Sequence, residues 1–147
     1  MTVVYVPMTS VDLEAVTVAE RRIYRFPWTH RNFADSLAAG HEGWLASENC
    51  QMIGYAVVMP VLDEAHLLNI GVLPEFQRTG QGAALLDHLI DVARRRGASR
   101  MLLEVRAGNV PAQRLYARCG FDTIGLRRDY YSADAGREDA IVMACTL

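Results

Sequence analysis

Gln77-Arg78-Thr79-Gly80-Gln81-Gly82-Ala83 lies where an apolar strand pattern gives way to the strongest helical pattern in the chain. Upstream, residues 66–73 read as a strand that Pro74 stops. Downstream, residues 81–96 carry Leu85, Leu89, Val92 and Ala93 as an apolar stripe at helical spacing. Arg94, Arg95 and Arg96 suit the negative end of that helix's dipole, and Gly97 supplies its stop. Glycines at such a junction let backbone N–H groups approach a bulky anion, which the first-turn amides and the dipole then hold. No Gly-Lys-Ser/Thr follows, so this is not a Walker loop, and the GxGxxG dinucleotide spacing is absent. A plain glycine-containing strand-to-helix turn would use the same residues, and spacing alone leaves both readings open.

Outward from the loop, the chain alternates strands and helices without repeats or linkers, which predicts one domain over residues 1–147. Residues 3–6 form a β-branched strand. Thr9 or Ser10 caps a helix over residues 11–25, Thr29 caps a shorter one, and Gly40 ends it. Residues 44–47 and 52–62 read as a hairpin. Residues 101–106 are a further strand, Asn109 caps a helix that Gly120 terminates, and Pro111 is tolerated in its first turn. Residues 121–124 and 139–146 are the last strands, joined through Asp134-Ala135-Gly136. Seven strands and four helices in this order predict a mixed α/β sandwich, with helices on both faces of one sheet.

Composition narrows the function. A chain of 147 residues buries roughly 70% of its unfolded surface and needs no disulfide or metal to fold. Its formal net charge of −2 gives no electrostatic ground for binding nucleic acid or a membrane surface. Cys50, Cys119 and Cys145 are odd in number and lack CxxC spacing, which predicts buried free thiols in a reducing compartment. No metal-ligand spacing links the four histidines, and no metal is expected. With no signal peptide pattern and no long apolar run, the expected location is the cytoplasm. All 15 basic residues are arginine.

Two further positions can carry chemistry. In Met101-Leu102-Leu103-Glu104-Val105-Arg106, Leu102 and Glu104 share one strand face, opposite Leu103 and Val105. A carboxylate in so apolar a run is costly unless it is paired or opens onto a wet cleft, an environment that raises the pKa toward that of a general base. A salt bridge to Arg100, Arg106 or a neighbouring strand is the alternative. Tyr116 lies at the margin of the stripe formed by Val110, Leu115 and Cys119. Its phenol can donate a proton into a cleft, or be a packed ring with a solvated hydroxyl.

Together these segments resemble the GCN5-related N-acetyltransferase (GNAT) family over nearly the whole chain. The carrying residues are Ile70-Gly71-Val72, the 77–83 loop, Glu104, and Asn109 with Leu115-Tyr116 and Gly120-Phe121. Within it, Phe26-Pro27-Trp28, Val61-Leu62-Asp63-Glu64-Ala65, Arg128-Asp129-Tyr130-Tyr131 and Gly136-Arg137-Glu138-Asp139-Ala140 are similar to the RimI type, the ribosomal-protein alanine acetyltransferases. Gly71 stands where alanine is common, and Gly108 where serine is common.

The resemblance implies a mostly antiparallel central sheet and acetyl-CoA as co-substrate. It implies that Ile70, Gly71, Val72, Arg78, Thr79, Gly80, Gln81, Gly82, Ala83, Asn109 and Tyr116 hold that molecule. Glu104 is then the base, directly or through water, and Tyr116 the acid that protonates the departing thiolate. The implied acceptor is a protein N-terminus, the alanine of small-subunit ribosomal protein eighteen. Trp28, Asp129, Tyr131, Glu138 and Asp139 border its cleft, and the acidic members, with Asp134, suit a basic tail. Acetylation of lysine side chains or small amines, and non-catalytic acetyl-CoA binding, are the competing readings.

The absence of lysine makes the chain's own N-terminus its only primary amine. Incubated with acetyl-CoA, the protein should therefore gain no stable acetyl group on any internal peptide. Mass spectrometry showing a hydroxylamine-resistant internal acetyl group would contradict this.

Overall fold

The computed structural model describes residues 2–147. Alternation builds its strands: in β5 (Arg100–Arg106), Met101, Leu103 and Val105 are buried, while Leu102 and Glu104 are half-buried on the other face. The other strands are β1 (Val4–Pro7), β2 (Glu42–Glu48), β3 (Gln51–Val61), β4 (Glu64–Val72), β6 (Asp122–Ser132) and β7 (Arg137–Thr146). They form one sheet in the order β1-β2-β3-β4-β5-β7-β6. Every pairing is antiparallel except β4 with β5.

Four helices cover the sheet: α1 (Leu13–Ile23), α2 (His30–Ala38), α3 (Gln81–Arg95) and α4 (Val110–Arg118). Leu85, Leu86, Leu89 and Ile90 of α3 pack with Tyr116 and Phe121 into one core. Leu13 and Val16 of α1 and Phe33 of α2 pack with Tyr55 and Val57 into the other. None of the described helices is long and apolar enough to cross a membrane.

Two features of the sheet create the site. The parallel ladder runs only from Glu64–Arg100 to Leu67–Leu103, yet β4 continues to Val72 and β5 to Arg106. In β4 the register steps from Val57↔Asn69 to Val58↔Leu67, leaving Leu68 as an extra residue. Such a bulge bends and twists its strand, here at the point where β4 leaves β5.

Some elements differ from the sequence reading for identifiable reasons. The first turn predicted for α1 is a 3-10 turn, Ser10–Asp12, with Val11 exposed, and Tyr24 is already extended. The Thr9 N–H donates to the Asp12 carboxylate at 2.8 Å. At α2 the predicted cap holds, the Asn32 N–H donating to Thr29 Oγ1 at 3.1 Å. The final hairpin is far longer than residues 121–124 and 139–146, because β6 is an edge strand exposed almost throughout. It is held by backbone pairing with β7, which leaves no apolar alternation to read. On α4, Tyr116 and not Leu115 is the buried residue, and Val110 is exposed. All three cysteines are free, but Cys50 is exposed at the β2–β3 turn and only Cys145 is buried.

Gly71 is required by its neighbour. A Cβ there would meet the Tyr55 hydroxyl at 2.5 Å and its ring carbon Cζ at 2.6 Å, and Tyr55 is fully buried. Gly71→Ala should lower stability by about 1–3 kcal/mol, the usual cost of overpacking. Urea unfolding checks this, and an unchanged midpoint would show that the Tyr55 ring moves aside freely.

Candidate active site

Where β4 and β5 separate, a cavity of about 630 Å³ opens between them. Its wall includes Ile70, Glu104, Asn109, Tyr116, Trp28 and Tyr131, so catalytic, coenzyme-side and acceptor-side expectations converge on one space. A second cavity of about 290 Å³ shares Trp28, Glu104, Tyr130 and Tyr131 with it.

Glu104 stands on the face of β5 opposite the buried Leu103 and Val105. Its Oε1 lies 3.3 Å from Arg127 Nε, a salt bridge from the edge strand β6. Its Oε2 is buried and accepts no hydrogen bond of ordinary geometry among the described residues, while the Glu104 carboxylate adds to burial in holding the nearby Tyr130 phenol above the ordinary value. Leaving a buried acceptor unpaired costs about 1–3 kcal/mol, more when it is charged. The salt bridge expected from Arg100, Arg106 or a neighbouring strand comes instead from Arg127, two strands away, and engages only one of the two oxygens.

Tyr116 is 8% exposed, its ring 5.9 Å from that of Phe121. Burial raises its phenol well above the ordinary tyrosine value, with Tyr131 and Cys119 adding to the shift. The group is a neutral donor at physiological pH. Asn109 caps α4, its side-chain oxygen accepting from the Ala112 N–H at 3.2 Å.

The 77–83 loop turns through two left-handed residues, Arg78 (φ 62°) and Gly80 (φ 83°). Gln77 Nε2 donates to the Val72 carbonyl at 2.9 Å, closing the end of β4. Thr79 Oγ1 donates to the Phe76 carbonyl at 2.5 Å. The first intrahelical bond runs from Ala84 N to Gly80 O at 3.0 Å, so the amides of Gly82 and Ala83 precede it. A Cβ on Gly82 would meet Leu115 Cδ2 at 3.2 Å and Val72 Cγ2 at 3.9 Å. The glycine thus brings the anion-accepting end of α3 against β4 and α4.

The acidic residues expected to read a basic tail are engaged elsewhere and do not line the main cavity. Glu138 accepts from Gly108 N at 2.7 Å and Arg106 Nη1 at 3.1 Å. Asp139 accepts the N–H of Asp129 at 2.9 Å, and Asp129 is itself left-handed at φ 50°. Asp134 pairs with Arg25 at 2.7 Å. The hairpin's register breaks between Arg127 and Tyr131, and there Asp139 takes the Asp129 N–H while Arg137 donates to the carbonyls of Asp129 and Tyr130. Arg106 also lies over the rings of Phe26 (4.8 Å) and Tyr131 (4.4 Å), joining the segment after α1 to the hairpin.

Sequence reasoning missed Glu20, Tyr24, Arg127 and Tyr130. Glu20 had a signal: a carboxylate seven residues after Leu13, on the apolar stripe Leu13–Val16–Thr17. The Tyr24 hydroxyl donates to the Ile70 carbonyl, and burial raises its phenol above the ordinary value, with help from Tyr116 and Glu20. Burial and then Glu104 push the Tyr131 phenol up to about 12.

The model of the Acetyltransferase (GNAT) family matches residues 13–121. The chain belongs to that family. A GNAT relative from Escherichia coli (strain K12), named [Ribosomal protein bS18]-alanine N-acetyltransferase, is 43% identical over 140 residues, covering 95% of each chain. One of the same name from Haemophilus influenzae is 37% identical, covering 92% of this chain and 93% of its own. Among solved structures, the ribosomal-protein-S18-alanine N-acetyltransferase from Escherichia coli superposes with a TM-score of 0.93 at 41% identity, covering 99% and 94% of the two chains. Ard1 from Thermoplasma volcanium has the same GNAT fold at 23% identity, with a TM-score of 0.88, covering 100% and 99%. Acetyl-CoA is the acetyl donor of a GNAT enzyme. Among the described residues, no group of three or more His, Cys, Asp or Glu is placed to hold a metal ion.

Gly82→Val should weaken acetyl-CoA binding by about tenfold or more, about 1.4 kcal/mol, because a branched side chain obstructs the backbone at the helix start. Calorimetric titration of the folded variant measures this. An unchanged dissociation constant would show that the loop does not hold the pyrophosphate.

Proposed function

We propose that this chain transfers the acetyl group of acetyl-CoA to the α-amine of an N-terminal alanine, with ribosomal protein bS18 as acceptor. Glu104 carries the reading: its carboxylate, with one oxygen left without a hydrogen bond, belongs to a residue lining the same cavity as Tyr116. The high identity to enzymes of that name supports the choice of acceptor. The same reading puts the enzyme in the cytoplasm.

The chemistry follows from the parts. A protonated amine has no lone pair for a thioester, so Glu104, directly or through one water, first accepts a proton from the ammonium. The free amine attacks the thioester carbonyl, the C–S bond breaks, the Tyr116 phenol protonates the departing thiolate, and the second proton lost by the nitrogen restores the phenol by way of water. No covalent enzyme intermediate is needed. The backbone of Ile70, Gly71 and Val72 and the Arg78–Ala83 turn hold the coenzyme on one side, with Asn109 at the head of α4. Trp28 and Tyr131 face the acceptor on the other.

The acceptor's own acidity favours the terminus. With reference pKa values near 8 and 10.4, roughly a tenth of an α-amine is free base at pH 7, against well under a thousandth of lysine. A peptide beginning Ala-Arg should therefore be acetylated at least about 100-fold faster than a terminally blocked peptide carrying one lysine. Glu104→Gln should lower turnover on the first peptide by about two to four orders of magnitude, with acetyl-CoA affinity nearly unchanged. Thiol release measures both. Comparable rates on the two peptides, or a variant keeping half its turnover, would reject the reading.

A further inference from the structure

The mechanism leaves one buried carboxylate unused. Glu20 is 2% exposed, on the core-facing stripe of α1. Its Oε1 accepts the Tyr55 hydroxyl of β3 at 2.5 Å. Its Oε2 accepts the Trp28 N–H at 2.9 Å and the Asn69 amide of β4 at 3.2 Å. These donors come from a strand, from the segment between α1 and α2, and from the residue beside the β4 bulge.

A carboxylate buried this deeply is costly, and its three hydrogen bonds offset that cost. What an apolar residue cannot do is fix where Trp28 and Asn69 sit relative to each other. Both line the main cavity, and Trp28 also lines the second one, so it stands where the two meet. Beyond Leu67, β4 has lost β5 and keeps only β3 as a neighbour. One turn after Glu20, the Tyr24 hydroxyl binds the Ile70 carbonyl, so α1 grips the unpaired part of β4 at two successive residues.

We propose that Glu20 is a positioning residue for the acceptor peptide, its carboxylate locking the Trp28 segment to the bulged part of β4 and so setting the width of the acceptor entrance. The proposal rests on the acetyltransferase reading above and adds a residue to it. Glu20 touches neither Glu104 nor Tyr116 through any of these bonds, so its loss acts on acceptor binding and not on the chemical step.

The test compares Glu20→Asp with Glu20→Gln. The aspartate is one methylene shorter and cannot span all three donors. The glutamine keeps the reach: its oxygen can serve Trp28 and Asn69 while its amide donates to the Tyr55 hydroxyl oxygen. In Glu20→Asp the KM for the Ala-Arg peptide should rise about tenfold, with kcat within about threefold and acetyl-CoA affinity within about twofold. Glu20→Gln should stay within about threefold of wild type on every parameter. A Glu20→Asp KM within twofold of wild type, an equal loss of acetyl-CoA affinity, or equal behaviour of the two variants would overturn the proposal. Hydrogen exchange at the Trp28 amide probes the same lock without any acceptor. Its exchange should be slow in wild type and Glu20→Gln and about tenfold faster in Glu20→Asp. An unprotected Trp28 amide in wild type overturns the proposal even if Glu20→Asp does not fold. If the exchange contrast holds but wild type leaves the peptide untouched, the substrate reading fails and the positioning role stands.

Discussion

The separation of β4 from β5 is the constraint on which the other features depend. Parallel strands pair through a continuous ladder, and here it ends at Leu67 and Leu103 while both strands keep going. The extra residue at Leu68 turns β4 away, and the backbone it exposes would be an unsatisfied edge in most sheets. Here Tyr24 takes the Ile70 carbonyl, and the end of β4 is closed by Gln77. The gap is therefore held open by the two layers flanking the sheet, α1 on one face and the α3–α4 pair on the other.

Polar groups around the gap divide into two kinds. Glu20 and Glu138 have both carboxylate oxygens occupied by backbone or side-chain donors, Asp139 has one, and all three act as fasteners. Glu104 keeps one oxygen buried and unpartnered, and Tyr116 is a buried phenol kept neutral. The division separates the groups whose bonds hold the cleft together from those with capacity left for a reaction, and the hairpin's acidic residues fall among the first.

The sequence was most legible where local rules coincide with tertiary ones. The α3 stripe, the glycine turn before it and the alternation of β5 are each fixed by period and by residue type, and Glu104 stood out as a charge in an apolar strand. The final hairpin was hidden because β6 is an edge whose stability lies in backbone pairing with β7, and Arg127-Arg128-Asp129 carries no apolar alternation. Arg127 pairs with Glu104 from β6 although β7 lies between them in the sheet, a juxtaposition no spacing rule encodes. Glu20 was legible in principle as a break in an apolar stripe, but its three donors lie 8, 35 and 49 residues away.

Gly71 and Gly108, the two departures from the family pattern, stand against different obstacles. At Gly71 the obstacle to a side chain is the buried Tyr55 ring and its hydroxyl, a rigid body. At Gly108 it is the Glu138 carboxylate, 2.8 Å from where a Cβ would stand, at the end of a rotatable chain. Substitution at the two sites is therefore unequal in cost. Position 108 can accept a side chain in one step, at the expense of the bond Glu138 makes to its amide. At position 71 a side chain presses on a fully buried ring, and that pressure is relieved by a smaller residue at position 55 and not by the swing of a surface side chain.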